Sequence, residues 1–493
     1  MNPTSRSQRS PWLFVPTLYF MQGLPYMIVT GVSMIAYRKM GVGVADIALW
    51  TSLVTWPWVL KMFWGPIVDA NSTKRNWVIW TQGLLFLGML AVAFGLHLPA
   101  FFTFTLTVFF IMGFLSATHD IACDGFYLLA LDKAQQAFFV GIRSAAFRGA
   151  MLFTNGVIVV IAGILEERGH PAAHNWTIAF LIGAIAYGLC YLYGLWALPK
   201  PAEDVQGGVR EEGKGVPFVE AAVTYFKQPK IIWVLLFILL FRVGEAMVMK
   251  IAPLFLIDPP VVALDPVTNA PTIQAIGQLL GQVMQAAEPS QVLAPALLLS
   301  QQIQEALAQP DLAVLGGGLG VSTMQVGVIN GTVGMIALTV GGLLGGIVVA
   351  KYGFKKTLWP LVICMHTPIL LYVWAAYTRP HLAAVYGVVA VDNFGYGFGL
   401  AAYMVYLMLV SQTTKYKTSH YAISTGIMAL GAMGAGIASG YLQEWLGYAR
   451  FFVACTLCTI PATLVLFFIP MYDNTPDDEA PKDTLEEAAV TES

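Results

Sequence analysis

The sequence predicts an all-α membrane protein: twelve transmembrane helices in two six-helix bundles, related by a pseudo-twofold axis along the membrane normal. Three observations predict it. The 493-residue chain is 57% hydrophobic and 11% charged, with positive mean hydropathy, which is more apolar surface than a soluble core hides. Apolar runs of about 20 residues, enough to cross roughly 30 Å of hydrocarbon, recur along almost the whole chain. A stretch between two of them, Gly65-Pro66-Ile67-Val68-Asp69 followed by Lys74-Arg75, returns in outline 281 residues later as Gly346, Lys355 and Lys356. Two copies of one six-helix unit leave that trace.

Cutting at Gly, Pro and charge clusters places six spans near 12–37, 46–67, 77–97, 101–131, 138–165 and 175–198. A second six fall near 230–257, 323–350, 357–378, 382–410, 418–443 and 448–470. Residues 1–10 are polar and basic, and the first span runs on past Pro25 without a small-residue cleavage site, so a retained first helix is expected. The bundles are then 11–198 and 230–471. Between them the Gly- and charge-rich segment 199–229 reads as a cytoplasmic linker. Segment 258–322 lacks Lys and Arg and reads as an outer-face insertion with short helices at 272–287 and 290–308. The acidic tail 472–493 lacks a core-forming composition.

The fifth span of each half repeats the duplication: Phe139 with Gly149-Ala150-Met151 matches Tyr421 with Gly431-Ala432-Met433, 282 residues on. An even number of spans per repeat preserves orientation, which makes the repeats parallel and puts a substrate site between them. Lys and Arg collect in one set of loops, among them Lys74, Arg75, Lys133, Lys200, Lys351, Lys355, Lys356 and Lys415. The other set keeps Arg38, Lys39, Arg168, Arg379 and Arg450. By the positive-inside rule both termini are cytoplasmic. The pairs Gly341 with Gly345, Gly395 with Gly399 and Gly436 with Gly440 suit close helix packing.

All five cysteines fall inside spans, where they behave as small apolar residues, including the Cys455-x-x-Cys458 pair. No disulfide framework or metal site is implied. No His-Glu-x-x-His or Gly-x-Ser-x-Gly element occurs, and Gly316-Gly317-Gly318-Leu319-Gly320 lacks the strand and helix of a nucleotide site. No catalytic residues, metal or cofactor are assigned, and nothing points to nucleic acid.

Charges inside spans are costly unless they face protein or water, which makes them the candidates for function. They are Lys61, Arg143, Arg148, Arg242 and Lys250, with Asp120, Asp124, Glu245 and Asp392. Their near balance suggests internal pairs with room for an anionic substrate. Arg242 and Glu245, three apart on one helix, either satisfy each other or serve function. Asp120 and Asp124 share a face of the fourth span with His119 beside them. Two carboxylates so close do not both ionise cheaply; either they bind a coupling proton, or Arg143 or Arg148 anchors them as ions. Asp392, Tyr396, Gly399 and Tyr403 form one stripe on the tenth span, a carboxylate with aromatics able to bond and stack on a sugar-like solute. Gln22, Gly23 and Pro25 mark a loosened first helix, as a cavity lining or a kink. Asp69, Lys74, Arg75, Lys355 and Lys356 read as gating residues where spans meet the cytoplasm. Lys61, two turns deeper than Asp69, either binds a carboxylate or snorkels.

These residues resemble the major facilitator superfamily, and within it the AmpG-type muropeptide permeases with their acetyl-CoA transporter relatives. The resemblance covers nearly all twelve spans. It rests on Gln22-Gly23-Leu24-Pro25, on Pro57-Trp58-Val59-Leu60-Lys61-Met62-Phe63-Trp64-Gly65-Pro66 through Asp69, and on Ala117-Thr118-His119-Asp120-Ile121-Ala122-Cys123-Asp124. Phe241-Arg242-Val243-Gly244-Glu245-Ala246 and His420-Tyr421-Ala422-Ile423-Ser424-Thr425-Gly426 extend it. His119 stands where many members carry glutamine, and the 258–322 insertion is long for the group.

The resemblance implies a major facilitator fold and proton-driven import of a sugar-peptide, N-acetylglucosamine linked to anhydro-N-acetylmuramic acid with a stem peptide. The setting it implies is the bacterial inner membrane, with a monomer expected. Proton-coupling candidates are then Asp120, Asp124, Glu245 and Asp392. Substrate-binding candidates are Gln22, Lys61, His119, Arg143, Arg148, Arg242, Lys250, Tyr396 and Tyr403. An acetyl-CoA or other anionic-solute carrier is the alternative within the family, and a non-transporting receptor the alternative outside it.

Overall fold

The structure is a computed structural model that describes residues 9–61, 64, 68, 71–202, 204, 218–259, 317–412 and 417–471. The first half contributes α1 (Pro11–Lys39), α2 (Val44–Leu60), α3 (Lys74–Gly95) and α4 (Phe101–Ala130). It continues with α5, which runs from Lys133–Leu152 through Phe153–Ile158 into Val159–Glu167, and α6 (Ala172–Ala197). A short α7 (Phe218–Phe226) precedes the second half. That half holds α8 (Ile231–Ile257), α9 (Thr323–Tyr352), α10 (Phe354–Thr378), α11 (Leu382–Gln412) and α12 (Lys417–Val465).

Among the described residues, ten helices are long and apolar enough to cross a membrane. Their outer surfaces carry large apolar side chains such as Trp80, Leu87, Phe94, Leu189, Leu192 and Phe467, a belt that only lipid accommodates. The second and the last two expected spans do not stand as separate long helices. α2 stops at Leu60, where the described chain becomes discontinuous. The last two are joined as α12, whose 49 residues would measure about 73 Å if straight. Both ends of α12 nevertheless lie beside the start of α8: His420 bonds Gln228 at 3.0 Å, and Phe468 stacks on Trp233 at 4.4 Å. The chain therefore doubles back, and it does so at Gly447, whose φ of 71° and ψ of 167° suit only glycine.

Within 199–229 the chain forms α7, docked by Tyr225 on Ser424 at 2.9 Å and by Thr224 on His420 at 3.1 Å. Residues 205–217, the two helices expected at 272–287 and 290–308, and the tail 472–493 lie outside the described residues.

The glycine pairs do bring helices close. A Cβ on Gly341 would sit 2.2 Å from the Phe394 carbonyl oxygen, on Gly395 2.2 Å from that of Cys364, and on Gly440 2.6 Å from Ala48 Cβ. The first two seams join α9 and α10 to α11; the third joins α12 to α2 across the halves.

Packing between the halves is uneven along the helices. Toward the end carrying Gly41 and Gly447, one apolar core runs through both halves, from Val29, Val32 and Trp176 to Val326, Ile329 and Phe452. Toward the Lys74 end the core divides, into Phe14, Tyr19 and Phe126 in the first half and Tyr225, Phe237 and Tyr406 in the second. There Gly141 and Gly149 of α5, and Gly426 and Gly434 of α12, have nothing within 4 Å of where a Cβ would stand. Among the described residues the halves share a core at one end and none at the other. Three π-helical turns, Ile28–Val32, Phe153–Ile158 and Gly327–Gly334, meet near this seam, with Gly31 against Asn155 and Gly156 against Gly331.

Candidate transport site

Midway along the helices, α1, α2, α4 and α5 present polar and aromatic side chains toward α8 and α11. Pro25 inside α1 removes a backbone donor, and the π-turn after it widens the helix. Tyr26 stands at that break. Its ring meets Trp58 edge-on at 5.2 Å and lies 6.4 Å from Phe147. Its hydroxyl lies in the field of Arg242 and Tyr396 from the second half and of Asp120 from its own. Tyr26 thus bridges the two halves at the seam.

The first half balances its own charges. Lys61 forms a hydrogen-bonded ion pair with Asp120. Asp124 accepts from the Tyr19 hydroxyl at 3.0 Å and pairs with Arg143 Nη2 at 3.0 Å. The Arg143 guanidinium also lies 4.5 Å from the Tyr19 ring centre and 5.3 Å from that of Tyr127. Each of these carboxylates thus has a cation beside it, Asp120 having Lys61 and Asp124 having Arg143. Arg148 is half-buried with no partner among the described residues, and one guanidinium nitrogen is 4.0 Å from where a Cβ on Gly342 would stand.

The second half is arranged differently. Arg242 donates through Nη2 to the Tyr396 hydroxyl at 2.5 Å and stands 5.5 Å from that ring's centre. It does not satisfy Glu245: both Glu245 oxygens are buried without a partner, as is Asp392 Oδ1. Lys250, two turns beyond Arg242 on α8, is half-buried and has no partner among the described residues.

Other candidates fall outside this region. His119 is fully buried between α3 and α4, 3.1 Å from Gln82 Nε2 and 3.3 Å from the Cys123 sulfur. Tyr403 is fully buried, donates to the Ile238 carbonyl at 2.8 Å and stacks on Phe241 at 4.9 Å. Both positions are packing positions, because spacing along one helix reports a face and not what covers it. Gln22 is buried on α1 with its Oε1 unpartnered.

Among the gating candidates, Asp69 lies outside the described residues. The backbone amides of Lys74 and Arg75 donate to the Asp204 carboxylate at 2.6 and 2.9 Å, capping α3 within its own half. Lys355 and Lys356 are exposed at the start of α10.

Polar ties between halves lie instead at the Gly41 end. Arg38 pairs with Asp258, which also accepts from Tyr448 at 2.6 Å. Glu444 accepts from the Ala45 amide at 2.8 Å, and Glu166 binds both Lys39, at 2.8 Å, and Thr323. Sequence reasoning missed these, together with Tyr26 and Trp58. The available signal for the last two was position: Tyr26 follows Pro25, and Trp58 lies in the quoted Pro57–Trp64 element.

Apolar helices enclosing a polar seam closed at one end define a membrane transporter, not an enzyme. The chain belongs to the Major Facilitator Superfamily, whose family model matches residues 17–300. It is 21% identical over 470 residues to a Rickettsia felis protein named as AmpG 4 transporter, covering 92% of this chain and 94% of the relative. It is also 21% identical over 455 residues to the anhydromuropeptide permease of Escherichia coli K12, covering 91% of this chain and 77% of that one. Among solved structures, a point mutant of the nucleoside transporter NupG superposes with a TM-score of 0.61 at 13% identity, over 92% of this chain and 99% of that one. A bacterial homologue of the human lysosomal transporter Spinster, inward-facing and unoccupied, gives 0.60 at 14% identity, over 94% and 97%. The solved structures support the fold alone.

Proposed function

We propose that this protein imports anhydromuropeptides across the bacterial inner membrane with protons, by alternating access. In this reading twelve spans form two six-helix bundles with both termini cytoplasmic, and 199–229 links them on that side. The Gly41 end is then periplasmic and closed, and the Lys74 end is cytoplasmic and open.

The observation that carries the reading is the charge arrangement at the seam. Lys61 and Arg143 are neutralised by Asp120 and Asp124, whereas Arg148, Arg242 and Lys250 have no carboxylate partner among the described residues. Unpaired half-buried cations are expensive in a membrane and suit a ligand that brings anions. Tyr26 and Trp58 add aromatic faces of the kind that sugar rings pack on. A stem peptide supplies the carboxylates and the disaccharide supplies the faces, and two relatives carry AmpG-type names. The same cations would suit acetyl-CoA, so the test must discriminate.

Proteoliposomes holding the purified protein would be given labelled GlcNAc-anhydroMurNAc-tripeptide or labelled acetyl-CoA, with and without an inward proton gradient. Gradient-dependent accumulation of the muropeptide alone is the expected result. Accumulation of acetyl-CoA alone would replace the substrate, and accumulation indifferent to the gradient would remove the coupling. Uptake of neither solute would favour a receptor.

A further inference from the structure

Glu245 on α8 and Asp392 on α11 are both buried, with no cation bonded to either among the described residues. Glu245 has no solvent exposure and neither of its oxygens has a partner; Asp392 is 4% exposed and its Oδ1 is equally bare. Glu245 lies within the field of Asp392. The remaining titratable neighbours are Arg242, Tyr396 and Cys455 about Glu245, and Tyr372, whose hydroxyl hydrogen-bonds Asp392. Among these neighbours Arg242 is the cation, and it bonds the Tyr396 hydroxyl instead.

This is the reverse of the first half, where each carboxylate holds a cation. Two negative charges in a dry interior repel each other and forfeit their hydration, with only the Tyr372 hydroxyl at Asp392 in return. Such a pair is stable only when it holds a proton. Buried oxygens without a partner suit a small cation such as a proton.

We propose that the Glu245–Asp392 pair is the proton-binding site that drives transport, and that Asp120 and Asp124 are positioning residues. The proposal rests on the proton-coupled reading above and specifies where the proton goes. The Tyr372 hydroxyl donates to Asp392 and favours the anion there, which leaves Glu245 to carry the proton. While Glu245 is protonated, Arg242 has no carboxylate on its own helix and is free to hold a substrate anion across the seam from Tyr26. When Glu245 gives its proton to water at the open end, its carboxylate, three residues along α8, attracts the guanidinium. Arg242 then leaves the substrate. One O–H bond forms on loading and breaks on release, so one proton crosses with each substrate anion held by Arg242.

The test has two arms that fail separately. In the first, without solute, infrared difference spectra of the purified protein in nanodiscs are recorded between acidic and alkaline pH in choline chloride. A protonated-carboxyl band is expected in wild type, lost or shifted in Glu245→Gln and in Asp392→Asn, and kept in Asp120→Asn. The amides at 245 and 392 are near-isosteric and strand no bonded cation, and size-exclusion profiles check the fold. A band that survives in both variants, or that vanishes in Asp120→Asn instead, overturns the proposal. Loss of the wild-type band at constant pH when sodium replaces choline overturns it in favour of a sodium site.

In the second arm, Glu245→Gln proteoliposomes should keep exchange counterflow of the labelled GlcNAc-anhydroMurNAc-tripeptide and lose at least tenfold of its gradient-driven accumulation. Undiminished accumulation overturns the proposal. If wild type moves no muropeptide while the infrared result stands, the substrate reading fails and the proton site survives.

Discussion

Asp258 accepts from both Nε and Nη2 of Arg38, at 2.6 and 2.9 Å, and so ties the end of α8 to the end of α1 across 220 residues of sequence. Tyr448 shares the same carboxylate. Asp258→Asn removes the charge and keeps the shape. Truncating one partner of such a pair costs about 2 kcal/mol, worth roughly 30-fold in the closing equilibrium. Val42→Cys, in a Cys364→Ser background, should react at least tenfold faster with a membrane-impermeant maleimide when Asp258→Asn is added. An unchanged rate would show that the pair does not hold this end shut.

Gly331 packs on Gly156 so tightly that a Cβ there would lie 2.2 Å from the Gly156 nitrogen. Gly331→Val therefore cannot close the seam between α5 and α9. Spin labels at Arg168 and Thr378 should show a longer distance distribution in the variant, with transport lost. Superposable distributions would mean that the contact is incidental.

Lys61 and Asp120 should behave as a structural pair. Lys61→Ala leaves a mostly buried carboxylate unmatched, which costs about 1–3 kcal/mol, while removing both charges together costs less. Thermal unfolding of the detergent-solubilised protein should show a drop in Lys61→Ala that is partly restored in Lys61→Ala/Asp120→Ala. A double variant as unstable as the sum of its parts would argue that the two do not interact.

Lys250 and Arg148 are expected to bind substrate anions. Replacing either by Gln should raise KM for the tripeptide solute about tenfold, the equivalent of about 1.4 kcal/mol, with a smaller effect on Vmax. A solute whose stem carboxylates are amidated should be insensitive to the change. Equal losses for both solutes would assign these side chains to packing.

Much of this molecule was legible from the chain. Apolar runs located most of the helices to within a few residues, the second and the last two spans excepted, because membrane thickness sets their length locally. The small-residue pairs predicted close helix packing, which falls at Phe394, Cys364 and Ala48. The cost of charge in hydrocarbon selected a short set of candidates that includes Lys61, Asp120, Arg242, Glu245 and Asp392.

Pairing was decided elsewhere. Spacing put Arg242 and Glu245 on one side of α8 and allowed them to satisfy each other, yet Arg242 bonds Tyr396, 154 residues away, and Glu245 is left bare. Asp120 and Asp124 look equivalent on α4, but each faces a different helix and so a different cation. Helical periodicity determines which way a side chain points from its own axis. What it meets there depends on the register of another helix, chosen by the packing of the whole fold. The sequence alone therefore determined a membrane transporter with a defined set of charges inside its apolar runs. Only the tertiary structure decided which charges are matched and which lack a bonded partner among the described residues.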